Sequence, residues 1–163
     1  MFSNKNRSRA VLAVLALSLG GGLVAQAQNA PAPGAARQAA EERRAAFKLV
    51  GANFRPLGAL LKEGGQYDAA DAKKRIARLV FLSGLLPEVF PDISNLGEPD
   101  SKAKPEVWTN RSDFDQALKK FQTDLVTLQE VNDKEQALSE PFKTALTTVA
   151  QDCKACHDNF KLK

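Results

Sequence analysis

An all-α fold, an antiparallel up-down-up-down bundle of four helices, is predicted by three features of this 163-residue chain. Apolar residues recur at three- and four-residue intervals over most of its length. No stretch sustains the period-two alternation of a half-buried strand. Cap residues, glycines and prolines fall where one helical pattern gives way to the next.

The first helix is expected from about Arg37 to Lys62, with Phe47, Val50, Phe54, Leu57 and Leu61 on one face. Pro56 lies inside it and should kink it or cost one backbone hydrogen bond. Gly64 and Gly65 end it. Asp68 then supplies an N-cap, and the second helix runs through Ile76, Leu79, Val80 and Ser83 to Leu86, where Pro87 closes it. The third begins near Ser112 and carries the stripe Phe114, Leu118, Phe121, Leu125, Leu128. The fourth opens at Ser139 to Pro141 and carries Phe142, Leu146, Val149, Cys153, Cys156 and Phe160. Helices of about 20 to 26 residues would be roughly 30 to 39 Å long, well matched for a bundle with a site in its core. Short links join the first pair and the last pair, and a longer one, 87–111, joins the two halves.

The amino end reads as an export signal. Lys5, Arg7 and Arg9 precede an apolar run from Ala10 to Val24, and Ala25-Gln26-Ala27 supplies the small-x-small cleavage pattern. Residues 1–27 are therefore expected to be a removed signal peptide, 28–36 a flexible leader and 37–163 the bundle. The competing reading is an uncleaved anchor, although the apolar run is short for a membrane span and is interrupted by Gly20-Gly21-Gly22. Cleavage places the mature chain in the periplasm, with no membrane association. It also alters the charge. The full chain has 23 Lys+Arg against 19 Asp+Glu, and the signal takes Lys5, Arg7 and Arg9 but no acidic residue. The mature protein is nearly neutral and has no basic, aromatic-interleaved patch, so a nucleic-acid partner is not expected.

Chemistry is concentrated at Cys153-Lys154-Ala155-Cys156-His157. Two cysteines three apart, with a histidine directly after the second, form the c-type haem attachment pattern. On a helix, positions i and i+3 share a face, so both thiols can reach the vinyl groups along one side of a porphyrin. His157, four after Cys153, can approach the iron as its proximal ligand. The chain contains 2 cysteines and 1 histidine in all. A redox Cys-x-x-Cys pair is the first competing reading, but the flanks lack strand-helix alternation. Half a zinc site is the second, but no further Cys/His pair completes four ligands. One covalent haem c in the bundle core is the expected cofactor.

The sixth iron position follows by subtraction. Electron-carrying cytochromes usually fill it with methionine or a second histidine. Here the 1 methionine is Met1, lost with the signal, and the 1 histidine is already used. Unless a lysine coordinates, the iron is five-coordinate and high-spin, or takes water or an external ligand.

The segments Cys-Lys-Ala-Cys-His-Asp-Asn-Phe at 153–160, Lys-Pro-Glu-Val-Trp at 104–108 and Gln-Tyr-Asp-Ala-Ala at 66–70 resemble the cytochrome c′ family, the class II cytochromes c. The resemblance spans the whole mature region. It implies a distal position for Phe47, where relatives carry leucine, or methionine in the low-spin cytochrome c-556 branch. It implies a propionate contact for Arg43, with Arg44 near the haem edge. Ser101 and Lys102 correspond to a haem-edge segment, and Lys161 stands where many relatives have an arginine near the proximal face. Trp108 is read as a core or interface anchor. The resemblance further implies a homodimer through the first two helices.

Two functions follow. One is a non-enzymatic binding protein for small neutral gases, nitric oxide and carbon monoxide, acting as a periplasmic nitric-oxide trap. The other is a one-electron carrier that exchanges with an unidentified periplasmic redox partner. Peroxidase chemistry lacks a distal acid/base, since no histidine remains to serve.

Overall fold

The computed structural model describes residues 34–62, 66–95 and 97–163. The expected signal peptide and most of the expected leader lie outside them, as do Gly64 and Gly65. Among the described residues five α-helices occur in order: α1 (Ala35–Ala59), α2 (Ala69–Leu85), a single-turn α3 (Glu106–Thr109), α4 (Arg111–Glu135) and α5 (Glu140–Phe160). The four long ones make the predicted bundle. Sequential neighbours pack side by side, α1 on α2, α2 on α4 and α4 on α5, while α1 and α5, which close the bundle, meet more sparsely than those three pairs.

Helix ends follow local chemistry. Gly34, in the left-handed region at φ 84°, precedes α1, which starts two residues before the expected Arg37. The Asp68 carboxylate accepts from the backbone N–H groups of Ala70 and Asp71 at 2.9 and 3.0 Å, capping α2. Ser139 Oγ accepts from Phe142 N at 3.3 Å and caps α5. Beyond α2 the chain passes directly into 3-10 turns, Leu86–Val89 and Asp92–Ser94. Pro87 therefore tightens the helix rather than simply ending it, and α2 is shorter than its partners. Inside α1, Pro56 cannot donate to Ala52, and the helix continues through it. Arg75 Nη1 of α2 donates to the Ala52 carbonyl instead, at 3.4 Å.

The predicted stripes form the core. Phe114, Leu118, Phe121, Leu125 and Leu128 of α4 are all buried, as are Phe142, Leu146 and Val149 of α5 and Ile76 and Leu79 of α2. On α1, Val50 and Leu57 are buried, whereas Leu61 lies past the end of the helix and is exposed. The long connector is more than a link. Phe90 is buried within it and meets Phe114 and Phe47 edge-on, with ring centroids 4.7 and 6.1 Å apart, and faces Trp108 at 6.4 Å. The chain end is tied down as well. Lys104 N donates to Phe160 O at 2.9 Å and Leu162 N to Lys102 O at 2.8 Å, pairing 102–104 with 160–162. Among the described residues, no helix is long and apolar enough to cross a membrane.

Candidate functional site

Where α1 and α5 draw apart, a cavity of about 540 Å³ opens, within the size range of cofactor sites. α1 contributes Phe47, Val50 and Phe54, and α4 contributes Phe114, Leu118 and Phe121. Leu86 and Phe90 close one side. Cys153, Cys156 and His157 of α5 line the opposite wall. The helical spacing has turned both sulfurs and the imidazole toward one space, as three- and four-residue intervals require.

Electrostatics suit this placement. Both cysteines are unpaired, half-buried thiols. Burial, with smaller contributions from Asp152 and Cys156, pushes the Cys153 thiol up to about 11, and burial also raises Cys156. Partial desolvation at the cavity wall and the nearby Lys161 lower His157, favouring the neutral imidazole that a metal needs. Two thiols and a neutral imidazole on one wall, facing an aromatic and aliphatic interior, form the donor set of a haem c site.

Of the residues singled out in the sequence, Arg43, Arg44, Phe47, Lys102, Cys153, Cys156, His157 and Lys161 all line this cavity. Ser101 does not; it supports Arg43 from behind. The Arg43 side chain is buried at 5 % exposure and is held by three acceptors. Its Nη1 donates to Val89 O at 3.1 Å and Ser94 Oγ at 3.2 Å, and its Nη2 to Ser101 Oγ at 2.8 Å. The guanidinium also lies 4.9 Å from the Phe90 ring centre and 5.8 Å from that of Trp108. Arg44 is exposed and pairs with Asp100 at 3.4 Å. Trp108 Nε1 donates to Pro91 O at 3.3 Å, so this residue anchors the connector.

Sequence reasoning missed three contributors. Phe90 came from a segment read as a connector. Lys48 follows Phe47 and reaches the cavity rim. Asp152 lies three residues after Val149, and this carboxylate on an apolar stripe was the available signal.

The comparisons agree with this geometry. The family model described as Cytochrome C' matches residues 38–161. Cytochrome c' of Rhodopseudomonas palustris is 31% identical over 122 residues, covering 75% of this chain and 80% of the relative. Cytochrome c-556 of Agrobacterium fabrum is 30% identical over 123 residues, covering 76% and 80%. Among solved structures, the nitric oxide complex of a mutant Alcaligenes xylosoxidans cytochrome c prime superposes with a TM-score of 0.70 at 30% identity, covering 78% of this chain and 97% of that one. A carbon monoxide-bound variant of the same protein matches with the same TM-score, identity and coverage. The chain belongs to the cytochrome c' family, whose members are four-helix bundles carrying covalently bound haem c.

Proposed function

We propose that this protein binds nitric oxide and carbon monoxide at a five-coordinate haem iron and serves as a periplasmic nitric-oxide trap rather than an enzyme. One observation carries the reading: His157 is the sole imidazole in the chain, and Phe47, Val50, Phe54, Leu86 and Phe90 offer no atom that could complete an octahedron. The amines on the wall, Lys48, Lys102 and Lys161, are exposed, and each would have to leave solvent and shed a proton to coordinate. When bound, the haem supplies an iron centre for neutral diatomic ligands. The chain's own residues do the rest. Cys153 and Cys156 would fix the ring, His157 would hold the iron, and the aromatic side chains of the wall would exclude water and offer no hydrogen bond that favours dioxygen.

Arg43 fits a propionate contact by its donor count. Of its five N–H groups, those on Val89, Ser94 and Ser101 use both Nη1 positions and one on Nη2. Nε and one Nη2 hydrogen remain, two donors that a carboxylate could take up. The basic-apolar-small pattern of residues 1–27 supports export. Exposed Leu49 on α1, with Phe81 and Leu85 on α2, supports a homodimer through those helices; Phe81 is 69 % exposed.

The ferrous holoprotein should show a high-spin, five-coordinate absorption and resonance-Raman signature at neutral pH. A sharp low-spin spectrum would sink the reading and point to one of the three lysines. Acidified acetone should leave the haem on the wild-type chain. It should extract the haem far more readily from a Cys153→Ala, Cys156→Ala double variant, and extraction from the wild type would disprove covalent attachment. The rim residues Arg44, Lys48, Lys102 and Lys161 are solvent-exposed, which keeps a second reading in view, a one-electron carrier docking there. A six-coordinate low-spin haem in both oxidation states would favour it.

A further inference from the structure

Asp152 immediately precedes the first cysteine, on the buried face of α5. Its side chain is 6% exposed. Oδ1 accepts from Lys120 Nζ of α4 at 2.6 Å. Oδ2 is the one buried side-chain oxygen or nitrogen among the described residues without a hydrogen-bond partner. Folded proteins leave few such atoms.

Its location gives this carboxyl a use. Asp152 lines the cofactor cavity beside Cys153 and Cys156. It also lines a second cleft of about 600 Å³, a polar one bordered by Lys104, Glu106, Asp113, Lys120 and Asp158. Ala117, Asp152, Cys156 and Phe160 border both spaces and form the wall between them. Once Cys156 is a thioether, Asp152 is the single titratable side chain in that wall. One of its faces meets the haem cavity, and the other meets charged groups in contact with solvent.

A carboxyl in a wall of low polarity feels the charge of a nearby iron strongly. Reduction removes one positive charge from the haem, and the carboxylate then holds a proton more tightly. We propose that Asp152 binds a proton when the haem iron is reduced and releases it on oxidation, exchanging it with solvent through the polar cleft and Lys120. The electron comes from an external one-electron donor and the proton from solvent. The carboxylate oxygen gains one O–H bond on reduction and loses it on reoxidation, and nothing else is formed or consumed.

The surrounding charges set where this occurs. From α4, Lys120 faces Asp152 directly, Asp124 pairs with the same ammonium and brings its own carboxyl against that of Asp152, and Asp113 lies further along the cleft. Lys104, Glu106 and Asp158 complete the cleft. Around the cavity stand Arg43, Arg44 and Lys48 of α1 and Lys102 of the connector, with His157 and Lys161 further along the same chain segment as Asp152. Burial raises Asp152 above the ordinary carboxylate value; Lys120 opposes this and Asp124 adds to it.

The sign is fixed by linkage. At low pH Asp152 is protonated in both oxidation states, and the reduction potential is high and flat. Between its ferric and its higher ferrous pKa, the potential falls as pH rises. Above both it is low and flat. A tenfold difference in proton affinity separates the two plateaux by about 59 mV for a one-electron couple.

The inference rests on haem occupying the cavity, and a haem-stained denaturing gel reports that separately. The covalently loaded full chain would be titrated potentiometrically from about pH 4 to about pH 9, a span chosen to bracket a raised carboxyl. In parallel, infrared difference spectra would be taken between reduced and oxidised forms. The wild type should show the sloping region and gain a protonated-carboxyl band on reduction. Asp152→Asn should lose both. Lys120→Met should keep the slope but move it to higher pH, which decides the matter even if the Asp152 variant folds poorly. A slope and band that survive in Asp152→Asn, or a slope that Lys120→Met leaves in place, would overturn the proposal.

Discussion

Replacing Phe47 by alanine should raise the carbon monoxide affinity of the ferrous protein by roughly ten- to a hundredfold. The ring is half-buried, lines the cavity from α1 and rests edge-on against Phe90 at 6.1 Å. Phe90 is itself 5% exposed and wedged against Phe114, so it cannot retreat. A ligand entering the cavity on the α1 side would therefore have to displace Phe47 or overpack its surroundings, which costs about 1–3 kcal/mol. Each 1.4 kcal/mol is about a factor of ten in affinity. Removing the ring removes the penalty. Binding titrations of the two proteins decide the matter, since equal affinities would show that Phe47 does not guard the iron. Thermal unfolding of both holoproteins separates a change at the lid from general loosening, because the truncation also removes apolar contacts with Phe90.

The periodic parts of this protein were readable because their physics is local. The stripe from Phe114 to Leu128 is buried as its spacing required, and Asp68 and Ser139 cap the helices that follow them. The attachment pentapeptide was readable because haem ligation fixes residue type and spacing together. What escaped depends on contacts distant in sequence. Phe90 joins the core from a segment without helical period, since three aromatic rings from other elements receive it. The pairing of 102–104 with 160–162 uses backbone groups, which leave no trace in residue type. Leu61 fitted the apolar spacing of α1, but the helix ends at Ala59 and the side chain is left in solvent. Asp152 stood in plain view as a charge on an apolar stripe. Its meaning required knowing that two cavities meet there.

Arg43 should carry the largest single stability effect outside the aliphatic core. The family resemblance implies a contact to the cofactor here, yet its guanidinium also binds the connector to α1. Val89, Ser94 and Ser101 lie 46, 51 and 58 residues away in sequence, and all three accept from it. Burial lowers its pKa from the ordinary arginine value, but a guanidinium remains charged in proteins, so these are charge-assisted bonds. Arg43→Met keeps much of the stem's packing and removes every donor. The Val89 carbonyl is left without this partner, and the connector that carries Phe90 loses its tie to α1. A loss of about 2–4 kcal/mol in unfolding free energy is expected, from hydrogen bonds to a charged group worth about 1.5–3 kcal/mol each and not fully additive. Arg43→Lys should recover little, because a single ammonium cannot reproduce the planar fork that reaches three acceptors at once. Ser101→Ala removes one acceptor and should cost about 1.5 kcal/mol, the low end of that range, because the other two acceptors remain. Denaturant unfolding of the covalently loaded protein gives all three values. If the lysine variant matched the wild type, the role of Arg43 would reduce to its positive charge, and the fork that ties the connector to the lid would have no energetic weight.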